Sequence, residues 1–289
     1  MSRFCYVNGR YLPHANGMVH IEDRGYQLAD GIYEVVPIYH GKLVDMEQHL
    51  DRLAYSLGEL RIAPPMERNA LRLVMRELIA RNGVTNGLIY LQVTRGVAPR
   101  EHKFPKKTKS SLVMTTKKTK PVAPELLEKG AAIITQRDLR WLRRDIKSIG
   151  LLPNVLAKQA ASEQGAFEAW LVDDAGYITE GSSTNAWIVK AGPDGKAREL
   201  ITRPLGHDIL GGITRRGVVD LAKEQGLNLV QRPFSLEEAL SAAEAFQTSS
   251  SAFVLPVTSI DGKAIGDGKP GPMTMRLREI YCRYAEQGE

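Results

Sequence analysis

Cysteine is almost missing from this sequence: two in 289 residues, Cys5 and Cys282, stand near opposite ends with no metal-ligand spacing between them. A disulfide framework is excluded, and the pair reads as reduced thiols of a cytoplasmic protein. Long apolar runs are missing too. No stretch approaches the roughly 20 residues of a membrane span, and the opening MSRFCYVNGRYLP has no apolar core of a signal peptide. GxxxxGK[ST] does not occur, so that nucleotide cradle is not available. Zinc-finger spacing, an RNP motif, internal repeats and low-complexity tracts are equally absent.

The remainder is ordinary globular composition, 43% apolar and 25% charged, at a length that suggests about two domains. The net charge of +6 and a pI near 9.2 would suit a nucleic-acid-binding protein. Much of that excess is local, however. Lys103, Lys106, Lys107, Lys109, Lys117, Lys118 and Lys120 crowd one stretch with a single aromatic, Phe104, among them, which describes a solvated loop or linker. Nucleic-acid binding therefore rests on charge alone.

Phe4–Val7, Asn8-Gly9 and Arg10–Leu12 read as a tight hairpin. Ile32–Tyr39 is a strand that Pro37 marks as edge-like or bulged, with a second strand around Leu43-Val44. Met46, Leu50, Leu53 and Leu57 have helical spacing over 46–58, and Leu71 to Ile79 form a second helix stopped by Asn82-Gly83. Strands follow at Leu88–Thr94 and Ser111–Thr116. The Pro- and Lys-rich KKTKPVAPE marks a boundary between domains 1–118 and 119–289. Beyond it the pattern predicts strands at 131–136, 169–172, 177–180, 186–189, 227–230 and 246–251. Helices are predicted over 155–164, 214–225 and 273–286, with Ser235 capping another. Strand-turn-strand units are too frequent for a βαβ alternation, so the fold class is α+β with mixed sheets.

Candidate chemistry gathers around Lys147, in RWLRRDIKSIGLLPNVLAKQ. A lone lysine is ordinarily a solvated cation. Here Ile146, Ile149, Leu151 and Leu152 predict a half-buried setting, which favours the free amine that condenses with an aldehyde. An aldehyde cofactor such as pyridoxal phosphate also needs an acid for its ring nitrogen and a cradle for its phosphate. Glu180, at a strand end before Gly181-Ser182-Ser183, is the candidate acid, and a solvated turn glutamate is the plain alternative. Gly211-Gly212-Ile213-Thr214 opens a helix whose free N–H groups would face an anion, unless it is simply a glycine turn with a capping threonine. Thr248-Ser249-Ser250-Ser251 could add donors, and Arg52 a cation. Tyr33 and Glu34 alternate on one strand, so they face opposite ways. Arg95, Arg100 and His102 share the loop TRGVAPREH and suit a carboxylate, or else form a solvated basic loop.

From YQLADGIYEVV through HLDRL, VTRGVAPREH, RWLRRDIKS, YITEGSSTN, LGGITR and TSSS, the sequence resembles the fold type IV pyridoxal-phosphate aminotransferases over nearly its whole length. The likeness is greatest to members acting on D-amino acids. The resemblance implies a small N-terminal α/β domain and a larger C-terminal α/β pseudo-barrel domain carrying the lysine, meeting at the cofactor in a homodimer. It implies that Lys147 forms the Schiff base with pyridoxal 5′-phosphate and shuttles the substrate proton, and that Glu180 pairs with the ring nitrogen. Arg52, Ile213, Thr214, Ser249 and Ser250 would hold the phosphate, although the family often has threonine where Ser250 stands. Tyr33, Arg100 and His102 would trap the substrate carboxylate, the last two from the neighbouring subunit. The implied activity moves the amino group of a D-amino acid such as D-alanine to 2-oxoglutarate, giving pyruvate and D-glutamate, with neither nucleic acid nor membrane as partner. Branched-chain L-amino acid transaminases, which lack the Arg-x-His loop, are the runner-up. 4-Amino-4-deoxychorismate lyases and (R)-amine transaminases are further alternatives.

Overall fold

Asn8 and Gly9, with φ of 46° and 94°, fold the chain back on itself between β1 (Phe4–Val7) and β2 (Arg10–Pro13). Two residues with φ > 0 are what a type I′ hairpin turn requires. The computed structural model describes residues 3–192 and 197–288. It divides into two units, the first made of Met1–Lys120, Ile146–Gly150 and Ala285–Glu289, the second of Pro121–Asp145 and Leu151–Tyr284.

The first unit continues through α1 (Arg24–Leu28), β3 (Gly31–Tyr39), β4 (Lys42–Leu43), α2 (Met46–Glu59), α3 (Arg68–Asn82), β5 (Gly87–Thr94) and β6 (Ser111–Lys118). Its six strands pair antiparallel in the order β2-β1-β6-β5-β3-β4. Helix α2 buries Met46, Leu50, Leu53 and Leu57, the predicted apolar stripe, together with His49 and Ser56 from the same face. Gly83 ends α3 in the left-handed conformation, φ 55°, as expected for Asn82-Gly83. These stripes pack with Ile32, Val36, Ile89, Leu91 and Met114 into one core that also takes in Ile146.

Pro37 lies in an inner strand, not at the sheet edge, because β3 pairs along its whole length with β5. Its other side is the broken one. There β4 covers only Ile38 and Tyr39, while residues 147–149 pair with the start of β3: Tyr33 donates to the Lys147 carbonyl at 3.0 Å, Ile149 donates to Gly31 at 3.1 Å, and Ser148 bridges Ile32. A proline without an N–H fits between two partial ladders. This pairing also moves Lys147 out of the C-terminal domain in which the single expected boundary placed it, and into the first unit.

The second unit holds α4 (Pro124–Lys129), β7 (Ala131–Arg137), α5 (Leu152–Glu163), β8 (Glu168–Val172), β9 (Ile178–Gly181), β10 (Asn185–Ala191), β11 (Ala197–Thr202), α6 (Ile213–Glu224), β12 (Leu229–Gln231), α7 (Leu236–Leu240), β13 (Glu244–Ser249), β14 (Phe253–Ile260), β15 (Lys263–Ala264) and α8 (Pro272–Ala285). The sheet runs β12-β11-β10-β13-β14-β7-β8-β9, with β15 on β14; β12–β11, β14–β7 and β7–β8 are parallel and the other pairs antiparallel. That mixture is the α+β reading in a particular form. Trp170 against Phe234 and Trp187 stacked on Phe246 anchor the interior, all four fully buried. Each such aromatic buries roughly 150–250 Å². Helices α1 and α4 and strand β11 lie where no element was expected.

Candidate functional site

Strand alternation decides the candidate residues of the first unit. Glu34 is fully buried on one face of β3 while Tyr33 stands half-buried on the other, so adjacent residues serve different surroundings. Across from Tyr33, the Lys147 amine lies 4.2 Å from the ring centroid. The lysine is half-buried as expected, its backbone N–H donates to Ser56 Oγ at 3.2 Å, and among the described residues its amine enters no ion pair. Tyr90 stacks obliquely on Tyr33 at 5.7 Å, donates to Gln92 Oε1 at 2.6 Å, and burial pushes its hydroxyl up to about 12.

On the opposite face Glu34 meets Arg52 and His49 from α2. Arg52 donates through Nε at 2.7 Å and Nη2 at 2.8 Å, a bidentate grip, and His49 Nδ1 lies 2.8 Å from the same carboxylate. Burial opposes the charge of Glu34, yet Arg52 and His49 hold its carboxyl far below the usual range. Burial also lowers the His49 imidazole, against the pull of Glu34. Arg52 is thereby fixed in direction.

The loop 95–110 separates its cations. Arg95 is buried and gripped by Asp30, through Nε at 2.7 Å and Nη2 at 2.9 Å, so it serves the fold and not a ligand. Arg100 and His102 are exposed.

In the second unit the centre is Glu180, on β9, 4% exposed. Its carboxylate accepts from Arg140 Nη1, from Asn185 Nδ2 at 2.8 Å and from the Leu210 N–H at 3.1 Å. Arg140 in turn spends Nε and Nη2 on Asp138, at 2.9 and 2.8 Å, and Thr179 Oγ1 donates to Asp138 at 2.7 Å. Burial lifts the Glu180 carboxyl above the ordinary carboxylate range; Arg140 works against that lift without cancelling it. A solvated turn glutamate is excluded by this environment.

Helix α6 begins at Gly212 with no side chain capping it, and Ile213 and Thr214 are buried in its first turn. A Cβ on Gly212 would stand 1.9 Å from Asn185 Oδ1, so only glycine lets the loop pass beside that amide. Uncapped first-turn N–H groups and the positive end of the helix dipole form an anion cradle. Of the hydroxyl run, Thr248 is consumed by Trp187 Nε1 at 3.1 Å, whereas Ser249 and Ser250 are half-buried, with Ser249 Oγ accepting from the Ala252 N–H at 3.2 Å. Ser182 and Ser183 both donate to buried Glu168, so the serines after Glu180 are structural.

Arg140, Asn185, Leu210, Glu34, His49 and Ser56 were not anticipated. Only His49 and Ser56 carried a signal: both share the helical face of Leu50, Leu53 and Leu57.

Each unit offers groups that suit an aldehyde-bearing, phosphorylated pyridine: the first, an amine outside any ion pair among the described residues and an arginine gripped by Glu34; the second, a buried carboxylate whose titration is raised and an uncapped helix start. Among the described residues, no cluster could hold a metal ion and no helix is long and apolar enough to cross a membrane. Comparison with known proteins points the same way. A D-alanine aminotransferase of Bacillus licheniformis is 43% identical over 273 residues, spanning 94% of this chain and 93% of that protein. One of Staphylococcus haemolyticus is 38% identical over 97% of both chains. Among solved structures, the branched-chain amino acid aminotransferase of Escherichia coli superposes with a TM-score of 0.90 at 24% identity, over 100% of this chain and 97% of that one. That of Thermobaculum terrenum, solved in its PLP-form, gives 0.84 at 22% identity over 100% and 95%. Residues 31–260, from the strand bearing Tyr33 and Glu34 to the end of β14, match amino-transferase class IV, and the chain belongs to that family.

Proposed function

We propose that this aminotransferase moves the amino group of a D-amino acid, D-alanine foremost, to 2-oxoglutarate, giving pyruvate and D-glutamate in a ping-pong cycle with pyridoxal 5′-phosphate. The observation that carries the reading is the 43% identity, over nearly the full length of both chains, to a D-alanine aminotransferase. Pyridoxal phosphate, when bound, supplies the aldehyde that accepts the amino group and a ring that takes up electron density from the substrate α-carbon.

Lys147 would hold the cofactor through its amine and would carry the proton at the substrate α-carbon. An amine beside an aromatic face and outside any ion pair suits both tasks. Glu180 would hold a proton at the ring nitrogen. Its buried charge lacks full compensation, so a cation at that place stabilises it. Arg52, Ile213, Thr214, Ser249 and Ser250 bind the phosphate, Arg52 pre-aimed by Glu34 and the helix start by its free N–H groups. Tyr33, Arg100 and His102 hold the substrate carboxylate, the arginine through its planar fork.

A homodimer is the assembly in this reading, with Arg100 and His102 serving the partner's site. Exposed apolar side chains support it: Met18, Ile21 and Tyr26 are each at least 75% exposed in the first unit, and Leu142, Leu152 and Leu156 at least 60% in the second. Two free cysteines accord with a cytoplasmic location.

The test is a half-reaction. The holoenzyme is mixed with D-alanine, L-alanine or L-leucine and the cofactor absorbance is followed to its amine form. Conversion by D-alanine alone is the expected result. Conversion by L-leucine and not by D-alanine would turn the reading to branched-chain L-amino acids, the activity named for the structural relatives.

A further inference from the structure

Arg24 is a buried arginine that the proposed reaction leaves unused. It sits in the first turn of α1, 2% exposed, and donates Nε to Asp30 Oδ2 at 2.7 Å. Its Nη1 reaches 77 residues along the chain to the carbonyl of Glu101, at 2.5 Å. Glu101 is the residue between Arg100 and His102.

The surrounding bonds distinguish the work of Arg24 from that of Arg95, although both grip Asp30. Arg95 faces inward and donates to the carbonyls of Leu60 and Arg61 at 2.8 and 3.0 Å, with Phe104 over its guanidinium at 3.6 Å. It holds the base of the loop to the body of the unit. The backbone adds Arg24 N–H to the Gly96 carbonyl at 2.9 Å, and Thr108 Oγ1 closes the far end on the Arg95 carbonyl at 3.1 Å. Between these fixed ends, the Glu101 carbonyl is held from below by Arg24 alone among the described residues. Arg100 and His102 are the immediate neighbours of Glu101 in the chain, so fixing the Glu101 carbonyl restricts how the backbone on both sides of it can turn and where both side chains can aim.

We propose that Arg24, anchored by Asp30, is the positioning residue that presents Arg100 and His102 as one carboxylate-binding pair, an inference that rests on the reading of those two residues as the substrate trap. The chemistry is suited to it. A guanidinium divides its donors between a carboxylate and a carbonyl in fixed directions, which an ammonium cannot do. Asp30 stays ionised: burial opposes its charge, but Arg95 and Arg24 hold its carboxyl below the usual range.

The experiment compares holoenzymes carrying Arg24→Met, Arg24→Lys and Arg100→Ala. Arg24→Met is expected to raise KM for D-alanine and for 2-oxoglutarate about tenfold, with kcat within about threefold and an unchanged cofactor absorbance band. Trypsin should nick it after Arg100 and Lys103 about tenfold faster than the native protein, since a loop released from its anchor opens more often. Arg24→Lys, keeping the Asp30 pair and losing the reach to Glu101, should show a smaller rise in KM. It decides the matter if the methionine variant does not fold. If Arg100→Ala leaves KM unchanged, the trap itself is wrong and the inference falls with it. If Arg100→Ala raises KM while folded Arg24 variants keep native KM and native nicking, the trap stands and the positioning role of Arg24 is overturned. A fall in thermal midpoint with KM unmoved would make Arg24 merely structural.

Discussion

Glu34 and Glu180 are both buried glutamates facing an arginine, one in each unit, and their carboxyls are displaced in opposite directions. Glu34 is gripped by Arg52 on both oxygens, with His49 adding a further bond, and its carboxyl is held far below the usual range. Glu180 receives one bond from an arginine that gives two to Asp138, whose own charge adds repulsion, and its carboxyl is lifted. A buried carboxylate gripped on both oxygens by one arginine stays charged and aims that arginine. One that shares its arginine remains short of positive charge. In the proposed reaction the first sets a phosphate ligand, and the second waits for a protonated ring.

The sharpest break of this comparison is Glu180→Gln, which keeps shape and loses charge. It should bind cofactor yet slow removal of the α-proton by about 10²–10⁴, read in single turnovers with D-alanine. Native rates would deny Glu180 any part beyond packing. Glu34→Ala should act on the fold instead, because Arg52 and His49 then lose the buried carboxylate that both contact. About 3–5 kcal/mol of stability should disappear, measured by denaturant unfolding of the cofactor-free protein. A variant as stable as the native chain would show that the two carboxylates do not differ as described.

The pH dependence of stability separates them by sign. A depressed group adds stability that is full above its unfolded value and drains as pH falls through its folded one, so Glu34→Gln should flatten the acid limb below the ordinary value of 4.5. A raised group does the reverse: the contribution of Glu180 is full below 4.5 and is lost as pH rises through its folded value. Glu180→Gln should therefore remove a decline on that side, and matching slopes in the two variants would contradict the comparison. The smallest effect belongs to Asp138→Asn, which releases Arg140 and removes a repelling charge. The Glu180 titration should move down in carbon-detected NMR of the cofactor-free protein. A shift upward would mean that Asp138 aims Arg140 more than it competes for it.

Local pattern carried the elements whose causes are local. The Asn8-Gly9 turn, the apolar stripe of α2 and the Ser235 cap, which accepts from the Glu238 N–H at 3.1 Å, all arise within a few residues. Helix α1 did not, since its five residues have no apolar period and are held by Asp23, whose side chain binds both Gly25 N–H and distant Thr94. The same division runs through the site. Lys147, Glu180 and the Gly212-Ile213-Thr214 turn stand out by neighbours in the chain. Arg140 and Asn185 around Glu180, and Glu34 behind Arg52, matter through bonds across strands and loops that no short window contains. Arg95 was read beside Arg100 as a ligand cation because the loop shows charge and not burial; Asp30, 65 positions earlier, takes it out of solvent.

The five residues from Ile146 to Gly150 carry a genetic consequence. The chain enters and leaves the first unit around them, so a gene cut near codon 120 yields a first-unit fragment without Lys147, and without Ile146 in its core. The two units cannot be exchanged between genes as modules by a single recombination event, because the lysine and the strand that orients it are encoded on opposite sides of that breakpoint. Substitutions can accumulate in either unit, but the pair must be inherited as one uninterrupted reading frame.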